Sequence, residues 1–157
     1  AHVFIPAYLY EYEENNEARI INQITHGAGV TYRECVGTED LDLAMYDRVF
    51  HEMTFAMQED ETRQVAWNRL LYPVSLSEHS KEEYRSWLMR HREGILRDLM
   101  EGQRTRELRE WLSFGIYTSA EELDRAMDAV YEVAFPEGIR EMIAVRRKFA
   151  DEDEMIL

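Results

Sequence analysis

Asp47 and His51 stand four residues apart in the stretch LDLAMYDRVFHEM, residues 41–53. At that spacing two side chains share one face of a helix, so the carboxylate can hold the imidazole in a single tautomer. A ring held this way is the working part of a general base. Asp47 and His51 are therefore the catalytic candidates, although no nucleophile or oxyanion donor is recognisable beside them. Cys35 offers a second reactive group, with the cation of Arg33 two residues away. A thiol becomes nucleophilic when a cation or a helix N-terminus lowers its pKa; in a strand-like apolar run a buried, inert thiol is the default.

The five histidines, His2, His26, His51, His79 and His91, show neither Glu-x-x-His nor His-x-x-x-His spacing, and Cys35 is the only cysteine. Metal sites on helices need such convergent pairs, so the sequence predicts no metal and no cofactor. His91 falls on an apolar stripe and reads as a hydrogen-bonded core imidazole. Gly27 and Gly29 follow a helical pattern and lack the third glycine of a dinucleotide-binding turn; they read as a helix stop and a turn.

Recognition chemistry is better represented than catalysis. Tyr8, Tyr10 and Tyr12 alternate with Leu9 and Glu11, placing three aromatic rings on one strand face. Acidic residues cluster at Glu11, Glu13, Glu14 and Glu17, at Glu39, Asp40 and Asp42, and at Asp151, Glu152, Asp153 and Glu154. From these features Tyr8, Leu9, Tyr10, Tyr12 and Asp151 to Glu154 are the expected partner-binding residues.

Few elements are needed to position these groups. Residues 2–12 read as a strand, residues 16–26 as a short helix carrying Ile20, Ile21 and Ile24, and residues 30–36 as a second strand. That makes a small N-terminal β-α-β element in residues 1–37, with a hairpin turning at Asn15 and Asn16 as the competing reading. Beyond Gly37 the periodicity is helical. Thr38 is the expected cap of a helix to about Gln58, with Leu41, Met45, Val49, Met53 and Ala56 inward. Asp60 is the expected cap of a helix carrying Val65, Trp67, Leu70 and Leu71 that stops before Pro73. Ser80 and Glu83 form a capping box for one long helix to Glu101. Residues 104–114 form a helix with Leu108, Trp111 and Leu112. Ser119 and Glu122 open a helix carrying Leu123, Met127 and Val130, and Pro136 starts a last one that ends at Arg146, Arg147 and Lys148. The expectation is a single domain, 1–157, mainly α, with five to six helices: an α/β element in 1–37, a helical part in 38–150 and an acidic tail in 151–157. Trp67, Trp87 and Trp111 are expected in its core.

Composition narrows the function. Hydrophobic residues make up 45% of the 157 and charged residues 32%, a balance that supports a folded core. The net charge is −14. Phosphate-rich partners need a basic stripe, so free nucleic acid and anionic membranes are excluded as partners and another protein chain, identical or different, is favoured. The N-terminus has no basic and apolar leader pattern, and the lone thiol fits a reducing cytoplasm. The resulting expectation is a non-enzymatic, acidic protein-binding component, an accessory small subunit of a larger complex. Two alternatives stand beside it. One is an acidic inhibitor or nucleic-acid mimic of the anti-restriction or immunity type, seated on a basic site. The other is a small enzyme whose site, using Asp47 and His51, forms at a subunit interface.

Overall fold

The computed structural model describes residues 3–6, 9–15, 20–26, 28–37 and 41–156, with residues 9–15, 20–26, 28, 30 and 153–156 described by their backbone alone. The described residues are mainly helical, with eight α-helices. The chain divides into two compact units, Ala1–Tyr84 and Arg85–Leu157.

In the first unit, strand β1 (Leu9–Asn15) pairs antiparallel with β2 (Ile20–His26), in the register Leu9↔His26 to Asn15↔Ile20. The β-α-β element is therefore replaced by the hairpin. Two strands joined by four residues can pair only antiparallel, since a parallel pair needs a crossover of about a dozen residues. The isoleucines read as a helical stripe are β-branched and serve the second strand equally well. The 30–36 segment is not a strand: residues Ala28–Arg33 form helix α1, continued by a turn at Glu34 and Cys35. Tyr32 and Cys35 are both buried, at 0% and 1% exposure. A strand would send residues three apart to opposite faces, whereas a helix puts them on one.

Helix α2 (Leu43–Met53) is capped by Asp42, whose carboxylate accepts from the Met45 N–H at 3.0 Å, and is followed by a 3-10 turn at Thr54–Ala56. Thr38, the expected cap, lies outside the described residues. The buried face of α2 is Tyr46, Asp47, Val49 and Phe50. Helix α3 (Glu59–Leu71) starts after Gln58, not at a cap on Asp60, and buries Thr62, Val65, Ala66 and Arg69. Its expected apolar members Trp67, Leu70 and Leu71 are only half-buried.

The long helix expected from Ser80 to Glu101 is two helices, α4 (Glu78–Arg90) and α5 (Arg92–Glu101). His91 breaks it. Its Nδ1 lies 2.8 Å from the Trp87 carbonyl, the acceptor an α-helix reserves for the His91 backbone N–H, and that N–H bonds Leu88 instead at 3.1 Å. A carbonyl only accepts, so Nδ1 carries the hydrogen. The ring stacks on Trp87 with centroids 4.0 Å apart. Helix α4 starts earlier than expected because Ser77, not Ser80, supplies the cap, accepting from the Ser80 N–H at 3.1 Å.

In the second unit, α6 (Thr105–Ser113) buries Leu108 and Trp111, and α7 (Ala120–Ala129) opens on Ser119, which accepts from the Glu122 N–H at 3.2 Å. Helix α8 (Pro136–Ile156) begins at its proline as expected but runs through the acidic tail. Arg146, Arg147 and Lys148 are therefore mid-helix and do not face the helix C-terminus. The core of this unit is apolar: Leu88, Ile95, Leu99, Leu108, Trp111, Leu123 and Met142 are all at most 4% exposed. Of the three tryptophans, Trp111 and Trp87 are buried at 0% and 8%, and Trp67 is half-buried. No helix among the described residues is long and apolar enough to cross a membrane.

Candidate functional site

Asp47 does not serve His51. Its carboxylate is the centre of a buried network in the first unit. Arg69 reaches it from α3 with two parallel bonds, Nε to Oδ1 at 2.9 Å and Nη2 to Oδ2 at 3.1 Å, and Tyr84 donates to Oδ1 at 2.5 Å. The remaining donors of Arg69 hold the chain after α3, bonding the carbonyls of Tyr72 at 3.1 Å and Val74 at 3.0 Å. Arg69 is fully buried and Asp47 is 6% exposed. Burial alone would lower the pKa of Arg69, but the hydrogen bond and charge of Asp47 outweigh it and raise it. Burial, reinforced by the bond to Asp47, also lifts the Tyr84 hydroxyl far above the usual phenol range. Both carboxylate oxygens and all three guanidinium nitrogens have structural partners, so this is a fold-holding cluster rather than a base waiting for a substrate.

His51 points elsewhere. Its Nδ1 lies 3.2 Å from a Glu83 oxygen that His79 also contacts at 2.7 Å, and both rings are largely exposed. Cys35 is buried, contacts the Thr31 carbonyl through sulfur at 4.0 Å, and has its pKa pushed up to about 11 by burial. That is an inert thiol, not a nucleophile. Nearby, Tyr46 donates to the Phe4 carbonyl, while the buried Tyr32 hydroxyl has no hydrogen-bond partner among the described residues. Among the described residues no group of three His, Cys, Asp or Glu side chains could hold a metal ion.

Of the expected partner-binding residues, Leu9, Tyr10 and Tyr12 lie in β1, and Tyr8 is outside the described residues. Asp151 and Glu152 are exposed on α8, with Asp153 and Glu154 following in the same helix.

The second unit holds a cavity of about 390 Å³ between α5 and α7. Arg92, Glu93, Leu96 and Arg97 line it from α5; Glu122, Arg125, Ala126, Ala129 and Val130 line it from α7 and its end. The spacing is that of two facing helix stripes, and the small side chains of Ala126 and Ala129 leave the gap. Tyr117, 7% exposed, contributes from the turn before α7. Arg97 is tied down: it donates to Glu132 at 2.7 Å and to the Ala129 carbonyl at 2.7 Å. Glu122 is tied down too, accepting from the Thr118 N–H at 2.7 Å and its hydroxyl at 3.1 Å. Those bonds, Thr118 first and then the charges of Arg92 and Arg125, hold its carboxyl below the usual range against the effect of burial. Arg92 and Arg125 make no ion pair with any described residue. The volume lies within the range of small-molecule sites, and the lining combines five charged side chains with Leu96, Ala126, Ala129 and Val130.

No protein-family model, no curated protein and no solved structure matches this chain.

Neither the Arg69 cluster nor the cavity was foreseen. The signal for the first was a helical stripe: Thr62, Val65, Ala66 and Arg69 recur at three- and four-residue spacing, which places the arginine on the buried face. The cavity carries no comparable local signal, because it arises where two stripes far apart in sequence meet around small residues.

Proposed function

We propose that this chain is a non-enzymatic, acidic protein-binding component, a small subunit of a larger protein complex, that meets its partner with a cationic surface opposite the end of α8. The observation that carries the reading is the charge at that end. Residues Asp151 to Glu154 occupy the last turns of α8, and its last turn carries no base. Four adjacent carboxylates repel one another in the isolated chain and are favourable once a basic surface covers them. The first unit adds to the bias, with 16 acidic against 6 basic side chains in residues 1–84. Leu9, Tyr10 and Tyr12, with Tyr8, remain the second proposed contact, and Phe55, 87% exposed on the 3-10 turn, is an apolar anchor in the same acidic unit.

The test is affinity capture of the tagged chain from the cells that make it, with partners identified by mass spectrometry. The expected result is a stoichiometric partner whose affinity falls with added salt, as the charge contact is screened, but which stays bound in molar salt through the apolar contacts proposed at β1 and Phe55. Replacing Asp151, Glu152, Asp153 and Glu154 by their amides should raise the thermal midpoint of the free chain and weaken the complex. A partner released by salt alone would favour the acidic inhibitor. Recovery of no stoichiometric partner sinks the subunit reading.

A further inference from the structure

We propose that the cavity between α5 and α7 binds a small organic acid, its carboxylate held by Arg92, Arg125 and the Tyr117 hydroxyl and its apolar body seated against Leu96 and Val130. Apart from the exposed Glu93 carboxylate, the polar groups left over in the cavity are donors. The Tyr117 oxygen accepts from Trp111 Nε1 at 3.2 Å, but its own hydrogen reaches no acceptor among the described residues, although the residue is nine-tenths buried. A buried hydroxyl hydrogen without an acceptor is uncommon in a folded protein. Arg92 and Arg125 bring guanidinium donors without an ion-pair partner, whereas Arg97 is already committed to Glu132 and the Ala129 carbonyl. Of the two carboxylates in the lining, Glu122 is taken by Thr118 and Glu93 is exposed. Donors in surplus, with their geometry fixed by two helices, call for an anion, and guanidinium groups match a carboxylate with paired bonds.

The rest of the lining selects among anions. Arg97 is neutralised by Glu132, so the cavity's other two arginines stand against Glu93 and Glu122 with no surplus charge. One added negative charge is tolerated there more readily than the two of a phosphate dianion. Ala126 and Ala129, together with the buried Leu96 and Val130, supply an apolar wall that a bare inorganic anion would not use. A volume of about 390 Å³ holds a carboxylate with a body of several carbons. This site lies apart from the end of α8 and does not depend on the partner-binding reading.

The experiment is calorimetric titration of the full chain with hexanoate and benzoate, beside hexanol, acetate and inorganic phosphate. Hexanoate or benzoate should bind, with hexanol and acetate each weaker by about tenfold or more, since the first lacks the charge and the second the body. Arg125 is exposed, so Arg125→Gln should leave the circular dichroism unchanged and weaken hexanoate by about tenfold. Ala126→Trp should fill the cavity and abolish binding, and Tyr117→Phe should weaken hexanoate more than hexanol. Phosphate binding in preference to hexanoate, no binding of either carboxylate at millimolar concentration, or hexanoate binding indifferent to both Arg125→Gln and Ala126→Trp would each overturn the proposal.

Discussion

The two units solve the problem of holding helices together in opposite ways. The first buries a charge pair: Asp47 and Arg69 join α2 to α3, Tyr84 adds α4, and the same guanidinium pins the carbonyls of Tyr72 and Val74. The second keeps its interior apolar and places its ion pairs outside, where Arg97 meets Glu132, Arg109 meets Glu141 and Arg146 meets Asp124 at 2.7–2.8 Å. Exposed pairs of this kind contribute little, whereas breaking one side of a buried pair costs about 3–5 kcal/mol. Sensitivity to a single polar substitution is therefore concentrated in a few atoms of the first unit and spread thinly in the second.

The largest expected effect tests that concentration. Asp47→Ala leaves the Arg69 guanidinium buried without its counter-charge and should cost about 3–5 kcal/mol in chemical denaturation. Replacing Asp47 and Arg69 together by leucine and methionine should recover much of that loss, because apolar substitution of a whole buried pair is often neutral. If the double variant is worse than the single one, the cluster holds the loop after α3 more than it balances charge.

In the second unit the matching challenge is steric. A Cβ added at Gly138 would sit 2.4 Å from Phe135 Cδ1 and 2.8 Å from Met100 sulfur. Gly138→Ala should therefore cost about 1–3 kcal/mol, the usual range for overpacking. A smaller loss is expected from Ser119→Ala, about 1 kcal/mol, because it removes the N-cap of α7. Equal losses from the two variants would mean that the packing around Met100 yields easily.

The smallest effect is with pH. The carboxyls of Glu122, Asp124 and Glu132 are all held below their ordinary values, by the Thr118 backbone N–H, Arg146 and Arg97 respectively. Groups depressed on folding stabilise the fold above their ordinary range, and that contribution is lost as pH falls through the depressed values. The second unit should lose stability on acidification below the common carboxylate range. Added salt should flatten the part owed to the exposed Arg97 and Arg146 pairs and leave the part owed to Thr118. Thermal melts across a pH series at low and high salt measure both.

How much of this was legible depended on whether the signal was local. Ser119 before α7, Pro136 at the start of α8 and the stop at Pro73 were read correctly, whereas the caps expected at Asp60 and Ser80 lie instead at Gln58 and Ser77. The end of α5 at Glu101 is where the sequence put it, and the left-handed residue that closes the turn is Gln103 at φ 52. The Leu99 and Met100 carbonyls are met by the Arg104 and Gln103 N–H groups, so the turn closes one residue later than the glycine suggests. The division of α4 from α5 was missed because His91 acts through a side-chain bond to Trp87 that apolar periodicity cannot register. In the N-terminal segment the isoleucine spacing outvoted β-branching, and the hairpin was set second to the crossover. Asp47 and His51 stand one turn apart on α2, but Asp47 is buried and His51 exposed, and sequence could not reveal that Arg69, 22 residues on, would claim the carboxylate.

The grip of Arg69 on the Tyr72 and Val74 carbonyls also changes what kind of segment residues 72–75 are. Val74 bonds back to Tyr72 at 2.8 Å and Ser75 takes a left-handed φ of 52. Surface connections of this sort ordinarily exchange their amide hydrogens through small local openings. Here such an opening would strip two acceptors from a buried guanidinium. The Val74 amide should therefore exchange with deuterium as slowly as the amides inside α2 and α3, and only when the whole first unit opens. A connection that by position belongs to the surface would then report the global unfolding of the unit that holds it.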